Sequence, residues 1–325
     1  MKIMVTGGAG YIGSHATKYL LDHSNEVVVV DNLSTGHFEA VDKRAKFYHE
    51  DIANYDEMVK IFKEEKIEGV IHFAAFSLVG ESMTNPFKYY ENNVAKTNYL
   101  LKAMVDSNVK YLVFSSTAAT YGEIENMPIY EDTPQNPTNV YGQTKLSMEH
   151  MIKDYHNAFG LNYVALRYFN VAGAYPDSTI GEAHNPETHL IPLILDAASG
   201  KRDCIKVFGT DYETKDGTCI RDYIHVMDLI DAHALAMKYL MDGGKSDCFN
   251  LGSGEGFSVL EMIDAAKQVT KKDFKVIYAN RRSGDPATLI ASSKKAREIL
   301  KWNPQYEDIN KMIYDAWNFH QNKTY

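Results

Sequence analysis

Cysteine is scarce: Cys204, Cys219 and Cys248 are the only three in 325 residues, odd in number and far apart. They form no C-x-x-C pair, so the common zinc and dithiol motifs are excluded, and a reducing compartment suits them. Positive charge is also in short supply, with 34 Lys+Arg against 43 Asp+Glu and a net charge of -9. That balance argues against nucleic acid or an anionic membrane surface as a general partner. An anionic ligand would need its own local arginines. No apolar run approaches the roughly 20 residues of a membrane span. The opening KIMVTGGAG has neither the basic nor the apolar stretch of a signal peptide. These shortages predict a cytoplasmic protein, and there are no repeats or low-complexity segments.

What is present is alternation. Short apolar runs at 3–5, 26–31, 69–74, 111–116 and 162–169 are separated by helix-like stretches near 11–22, 54–65, 87–107 and 139–159. Apolar strands alternating with helices imply a parallel sheet covered on both faces, a doubly wound α/β domain. From about residue 170 the chain is rich in Gly, Pro, Asn and Asp, as a loop shaped around a ligand would be. Helical periodicity returns near 189–200, 226–241, 258–270, 292–300 and 307–320, with short strands at 205–208 and 274–278. The expected organisation is a dinucleotide-binding domain over 1–170 and a smaller α/β substrate-binding domain over 171–325. Part of 221–251 is expected to pack back onto the first domain.

The turn after the first strand, MVTGGAGYIGSH, contains Gly7, Gly10 and Gly13. Glycines there let the backbone approach a pyrophosphate, and the helix that follows offers unpaired N–H groups and a partial positive charge. The second apolar run ends at Asp31, eighteen residues after Gly13. Its carboxylate can accept from both ribose hydroxyls and repels a 2′-phosphate, which favours NAD over NADP. Capping a turn with Asn32 is the structural alternative. Asp51 and Ile52, after a third strand near 46–49, would flank the adenine.

Tyr141 and Lys145 stand four positions apart in NVYGQTKL, at the start of a helix. Such a pair shares one helical face, with Cβ atoms about 6 Å apart. A tyrosine pKa near 10 leaves only about one phenolate in a thousand at pH 7. An adjacent ammonium favours that anion, so Lys145 is expected to act as a charge. Thr117 ends the apolar strand, where open α/β sheets place their ligands. It is either a proton-orienting hydroxyl or a plain strand-end residue. His72 and His225 read as structural, and no histidine has an H-E-x-x-H spacing.

The G-x-x-G-x-x-G turn, NNV at 92–94, SSTAATYG at 115–122 and the Tyr141-x-x-x-Lys145 pair together resemble the extended short-chain dehydrogenase/reductase family. VTGGAGYIGSH, VIHFAA, SLVGES, LRYFNVAGA, DGTCIRDYIHVMDL, FNLGSGEGFSV and RRSGDPA, in that order, resemble its UDP-glucose 4-epimerase branch. The likeness covers nearly the whole chain. It implies a Rossmann-type doubly wound sheet, bound NAD, no metal, and a Thr117, Tyr141, Lys145 triad. It further implies cofactor contacts from Tyr11, Ile12, Phe73, Ala74, Ala75, Ser77, Asn92 and Phe169, beside the residues already named. The UDP-hexose would meet Thr117, Asn170, His189, Leu190, Arg221, Arg282 and Asp285. Surface ion pairs are the bland reading of the two arginines.

The reaction so implied is interconversion of UDP-galactose and UDP-glucose through a 4-keto sugar. A homodimer would form through the helices near 87–107 and 139–159. Some positions depart from the branch pattern. Thr188-His189-Leu190 replaces Asn-Asn-Leu, Ser77 stands where lysine is common, and Leu289 occupies a position linked to N-acetyl acceptance. These leave a UDP-N-acetylhexosamine or another nucleotide sugar open as substrate. A 4,6-dehydratase is disfavoured because Ala118-Ala119, not Asp-Glu, follow Thr117. A non-catalytic NAD sensor on the same fold is the remaining alternative.

Overall fold

The computed structural model describes residues 1–282, 285–323 and 325. Seven strands form its main sheet: β1 (Lys2–Thr6), β2 (Glu26–Asp31), β3 (Lys46–His49), β4 (Gly69–His72), β5 (Tyr111–Ser115), β6 (Asn162–Arg167) and β7 (Asp247–Asn250). Their spatial order is β7-β6-β5-β4-β1-β2-β3, and every pairing is parallel. The order reverses between β1 and β4. Ligands of such sheets bind at that switch point, outside the carboxyl ends of the strands.

The sheet is buried on both faces because its strands alternate between two cores. Ile3, Val5, Val27 and Val29 point to one face, where they meet α1 (Tyr11–Asp22) and α6 (Val226–Met241). Met4, Val28 and Val30 point to the other, against α2 (Tyr55–Glu65), α3 (Lys96–Asp106) and α4 (Val140–Phe159). A third core lies among α5 (Leu190–Ala198), α7 (Val259–Thr270) and α8 (Ile309–Asn322), over the parallel pair Ile205–Phe208 and Val276–Ala279. Residues 226–250 therefore belong to the main sheet and its helical layer, although the chain has already left that sheet at Arg167.

Two expected helices differ. The stretch read as one helix over 87–107 is divided into a turn at Pro86–Tyr89, a π-helical segment Tyr90–Ala95, and α3. The wider turn carries Asn93 inward, where its amide holds the Phe76 backbone at both ends and reaches Thr144. Such π segments inside helices are often found beside functional sites. The helix expected near 292–300 is a short π-type turn, Ala296–Leu300. Among the described residues, no helix is long and apolar enough to cross a membrane.

Candidate active site

The glycine turn is built so that a side chain cannot enter it. Gly7 has φ +75°, and a Cβ there would lie 2.6 Å from the Ala74 nitrogen. A Cβ at Gly13 would lie 2.1 Å from the Gly7 carbonyl oxygen. The β1 turn, the first turn of α1 (Tyr11, Ile12, Gly13) and the chain leaving β4 (Phe73, Ala74, Ala75) are thereby pressed together, with Gly10 capping α1. The first N–H groups of a helix have no intrahelical acceptor and face this cradle.

Asp31 ends β2 beside the turn. Its carboxylate accepts from Ala9 N at 2.9 Å and from Leu33 N at 2.8 Å. It thus fixes the glycine loop and its own turn, and each oxygen retains a lone pair for a ribose hydroxyl. Asn32 has a different partner, since its amide donates to Asp51 at 2.9 Å. Asp51 is in turn paired with Lys96 at 2.6 Å, beside buried Ile52. Asn92 lies next to Asn93 and donates to it at 3.2 Å, whereas Ser77 is exposed on the segment after β4.

The Tyr141/Lys145 pair is placed by α4. Asn139 caps that helix by accepting from Gly142 N at 2.8 Å, and Ser82 Oγ accepts from Tyr141 N at 3.1 Å. Lys145 is buried, donates to the Ser115 carbonyl at 2.8 Å, and has Nζ 6.0 Å from the Tyr141 ring centre. Thr117, also buried, caps the turn after β5 by accepting from Ala119 N at 3.1 Å.

Burial pushes the Tyr141 phenol up to about 12, and hydrogen bonding with Thr117 only partly opposes this. Burial likewise pushes Lys145 down to about 7, against a weaker attraction from Glu149. In the protein alone desolvation dominates both groups, so the part expected from Lys145 does not by itself lower the tyrosine. Further positive charge and donors must come from the ligands.

The lysine has a consequence for stability. Its folded-state pKa of about 7 lies below the ordinary 10.5, so the unfolded chain binds more protons between those values and stability rises with pH there. Relative to Lys145→Met, the NAD-free wild-type chain should gain up to ~1.4 kcal/mol per pH unit between about pH 7 and 9. Urea unfolding of both proteins across that range measures it. Parallel pH profiles would show that Lys145 is not desolvated.

On the side facing the third core, Arg221 is ion-paired with Asp285, and Arg282 lies over the Phe208 ring at 4.0 Å. The two residues expected to share a nucleotide thus hold each other. Ser283 and Gly284 of the same segment lie outside the described residues. Asn170 donates to the Asp222 carbonyl at 3.2 Å, and Phe169 packs against the cluster of Ala118, Tyr121 and Ile129. Leu190 starts α5 at the edge of the third core.

His189 is engaged elsewhere. Its Nδ1 sits 2.8 Å from Glu182 and 3.2 Å from Glu187, with the His184 ring 5.0 Å away. Despite burial, the two carboxylates lift His189 to about 10. Burial would raise Glu182, but the two histidines hold it at about 2. A search for H-E-x-x-H spacing passes over this cluster, whose own spacing E-x-H-x-x-E-x-H is visible in the sequence. His72 is structural, bonded to Thr6 at 2.7 Å and Thr97 at 3.1 Å, and burial lowers it to about 3. His225 caps α6, accepting from Met227 N at 3.1 Å.

Sequence reading also passed over a support behind the site. Glu149, one turn after Lys145, meets Arg167 in a buried pair and accepts from Ser116 at 2.5 Å. Arg167 reaches on to Tyr121 at 2.8 Å.

A seven-stranded doubly wound sheet with a glycine turn, an acidic β2 end and a Tyr-x-x-x-Lys helix defines a Rossmann-type protein of the extended short-chain dehydrogenase/reductase class. Residues 3–252 match the NAD dependent epimerase/dehydratase family, to which the chain belongs. It is 56% identical to a UDP-glucose 4-epimerase of Lacticaseibacillus casei over 99% of this chain and 97% of that one. A crystal structure of a UDP-glucose 4-epimerase superposes with TM-score 0.98 at 54% identity, covering 99% of this chain and 98% of that one. The Brucella ovis UDP-glucose 4-epimerase in complex with NAD gives TM-score 0.95 at 46% identity, with 97% of each chain covered.

Proposed function

We propose that this chain is an NAD-dependent UDP-glucose 4-epimerase, interconverting UDP-galactose and UDP-glucose. The observation that carries the reading is Tyr141 and buried Lys145 on one helix face, the lysine anchored to the end of β5 just before buried Thr117, together with a glycine turn closed to a Cβ at Gly7 and Gly13. The cradle and the Asp31 carboxylate fit NAD, the turn taking its pyrophosphate and Asp31 its ribose. When bound, NAD supplies a reversible two-electron acceptor and a positive charge at the nicotinamide.

Tyr141 is the base that takes the proton of the 4′-hydroxyl and later returns it. Thr117 orients that proton between phenol and sugar, and Lys145 supplies a second positive charge from beneath the ring. Phe169, on the strand-end loop beside Thr117, lines the nicotinamide side. Arg221 and Arg282 face the diphosphate, and Asp285 exchanges its pairing with Arg221 for the uridine ribose. Asn170 and Leu190 border the sugar. The dinucleotide unit comprises residues 1–170 with 226–250, and the rest of the chain forms the nucleotide-sugar unit.

A homodimer is supported by exposed apolar residues at the expected interface helices: Phe87 is 73% exposed, Tyr99 51% and Phe159 61%. A cytoplasmic location is supported by the unpaired cysteines.

Proton NMR of the purified protein with UDP-galactose, no NAD added, should show the anomeric signal of UDP-glucose growing to equilibrium. A parallel sample with UDP-N-acetylgalactosamine reads the specificity left open by Leu289. Absence of conversion with NAD added would overturn the assignment.

A further inference from the structure

Between the short strand Asn170–Ala172 and α5, four side chains of metal-ligand type turn toward one point. Glu182, His184, Glu187 and His189 each offer an atom within 4.8 Å of all the others. Glu182 Oε1 stands 3.1 Å from His184 Nδ1 and 2.8 Å from His189 Nδ1. Glu187 Oε2 stands 3.8 Å from His184 Nδ1, and its Oε1, which also accepts from the Thr188 and His189 backbone N–H groups, stands 3.2 Å from His189 Nδ1. Donors around a tetrahedral zinc, with bonds of ~2.0–2.1 Å, are separated by roughly 3.3–3.4 Å. The four measured separations straddle that value.

Ion pairing between imidazolium and carboxylate is the competing account, and one contact speaks against it. His184 Nδ1 is buried and makes no hydrogen bond, although a carboxylate oxygen lies only 3.1 Å away. A paired imidazolium would aim its N–H at that oxygen. A ligand instead aims its lone pair at a shared centre, beside its fellow donors. Charge agrees: two carboxylates and two neutral imidazoles carry −2, which a dication neutralises in place of the proton that His189 holds without it. The carboxylate side chains are only 10% and 15% exposed, so that charge is costly to leave uncompensated.

We propose that Glu182, His184, Glu187 and His189 form a closed site for a first-row divalent cation, zinc above all, that acts as a structural clamp distinct from the reaction centre. Four protein donors leave no open coordination position, which is the pattern of a structural site. The mixed imidazole and carboxylate set suits zinc better than magnesium or calcium, which prefer all-oxygen shells. The clamp would close a loop already fastened to the dinucleotide turn and to the chain end. Tyr11 donates to the Gly173 carbonyl at 2.7 Å, the His37 ring meets the Ala183 carbonyl at 2.8 Å, and Gly181 N donates to Tyr325 at 3.2 Å.

The test uses full-length protein without a polyhistidine tag. Metal analysis after purification without chelators should find about one zinc per chain. Stripping with dipicolinate should lower the melting temperature, and Zn²⁺ but not Mg²⁺ should restore it. Co²⁺ added to the stripped chain should give the visible bands of a tetrahedral ion. His184→Ala should keep less than about a tenth of the zinc, and Glu187→Gln should weaken Zn²⁺ binding at least roughly tenfold. A stripped wild-type chain that binds neither Zn²⁺ nor Co²⁺ overturns the proposal without any variant. Zinc retained in full by His184→Ala does so as well, because the ion then lies elsewhere.

Discussion

Tyr141→Phe is expected to lower kcat for 4-epimerisation by roughly 10²–10⁴-fold while leaving the bound NAD content unchanged. The substitution removes one oxygen and keeps the ring that packs at the start of α4, so the helix and the lysine beneath it stay in place. What disappears is the group that takes the sugar proton. The loss is large because that proton transfer is demanding. In the protein alone burial holds the phenol at about 12, so the anion needs help from the nicotinamide charge and from Lys145. Phenylalanine has no anionic form to help. Turnover by NMR and NAD released on denaturation, measured on the same preparation, separate chemistry from cofactor loss. A fall in NAD content proportional to the fall in rate would place Tyr141 in cofactor retention instead.

Thr117→Val tests the orienting hydroxyl. The residue is buried at the strand end, and its hydroxyl already accepts from Ala119 N. Its loss therefore leaves one unsatisfied donor as well as a poorly oriented proton. A smaller drop in kcat than for Tyr141→Phe is expected, with a shift in the alkaline limb of the pH profile that a purely structural role would not produce.

The residues that could be read from the sequence are those whose chemistry is local. Gly7 and Gly13 announce themselves because the close approaches they permit occur within one strand-turn-helix unit. Tyr141 and Lys145 fall on one helix face by spacing alone. Asp31 is read from its place at the end of a run of valines, and the structure adds that the same carboxylate holds the glycine loop through Ala9.

The residues that escaped notice are joined across long stretches of chain. Asn93 meets the Phe76 backbone only because a π segment widens the helix, and no residue type marks that insertion. Glu149 and Arg167 look like ordinary helix and strand charges until the sheet brings them together. The ligand-like cluster was short-range, yet a loop rich in Gly, Pro and Asn gives no periodicity from which to infer that four side chains converge. The electrostatics of Lys145 were missed for a related reason: spacing reports which charges are near, while the cost of burial depends on the whole surrounding fold.

That surrounding fold is why Glu149→Ala should be severe, costing about 3–5 kcal/mol in unfolding free energy. Glu149 and Arg167 have side chains only 8% and 5% exposed and meet at two points, one of them 3.0 Å long. Alanine leaves the guanidinium buried without its counter-charge, and it also strips an acceptor from Ser116, the residue before Thr117. Strand end and helix would loosen together, so kcat should fall even in the folded fraction. The pair itself is a different matter. Replacing both partners by apolar residues, Glu149→Leu with Arg167→Met, removes the orphaned charge and should recover most of the lost stability. Catalysis should remain impaired, since Ser116 still lacks its acceptor and Tyr121, though it keeps Asn250, loses Arg167. Urea unfolding of the two single variants and the double variant, alongside turnover, completes the cycle. A loss below about 1 kcal/mol for Glu149→Ala would mean that water reaches Arg167, and the rigid support inferred behind Thr117 and Lys145 would fall with it.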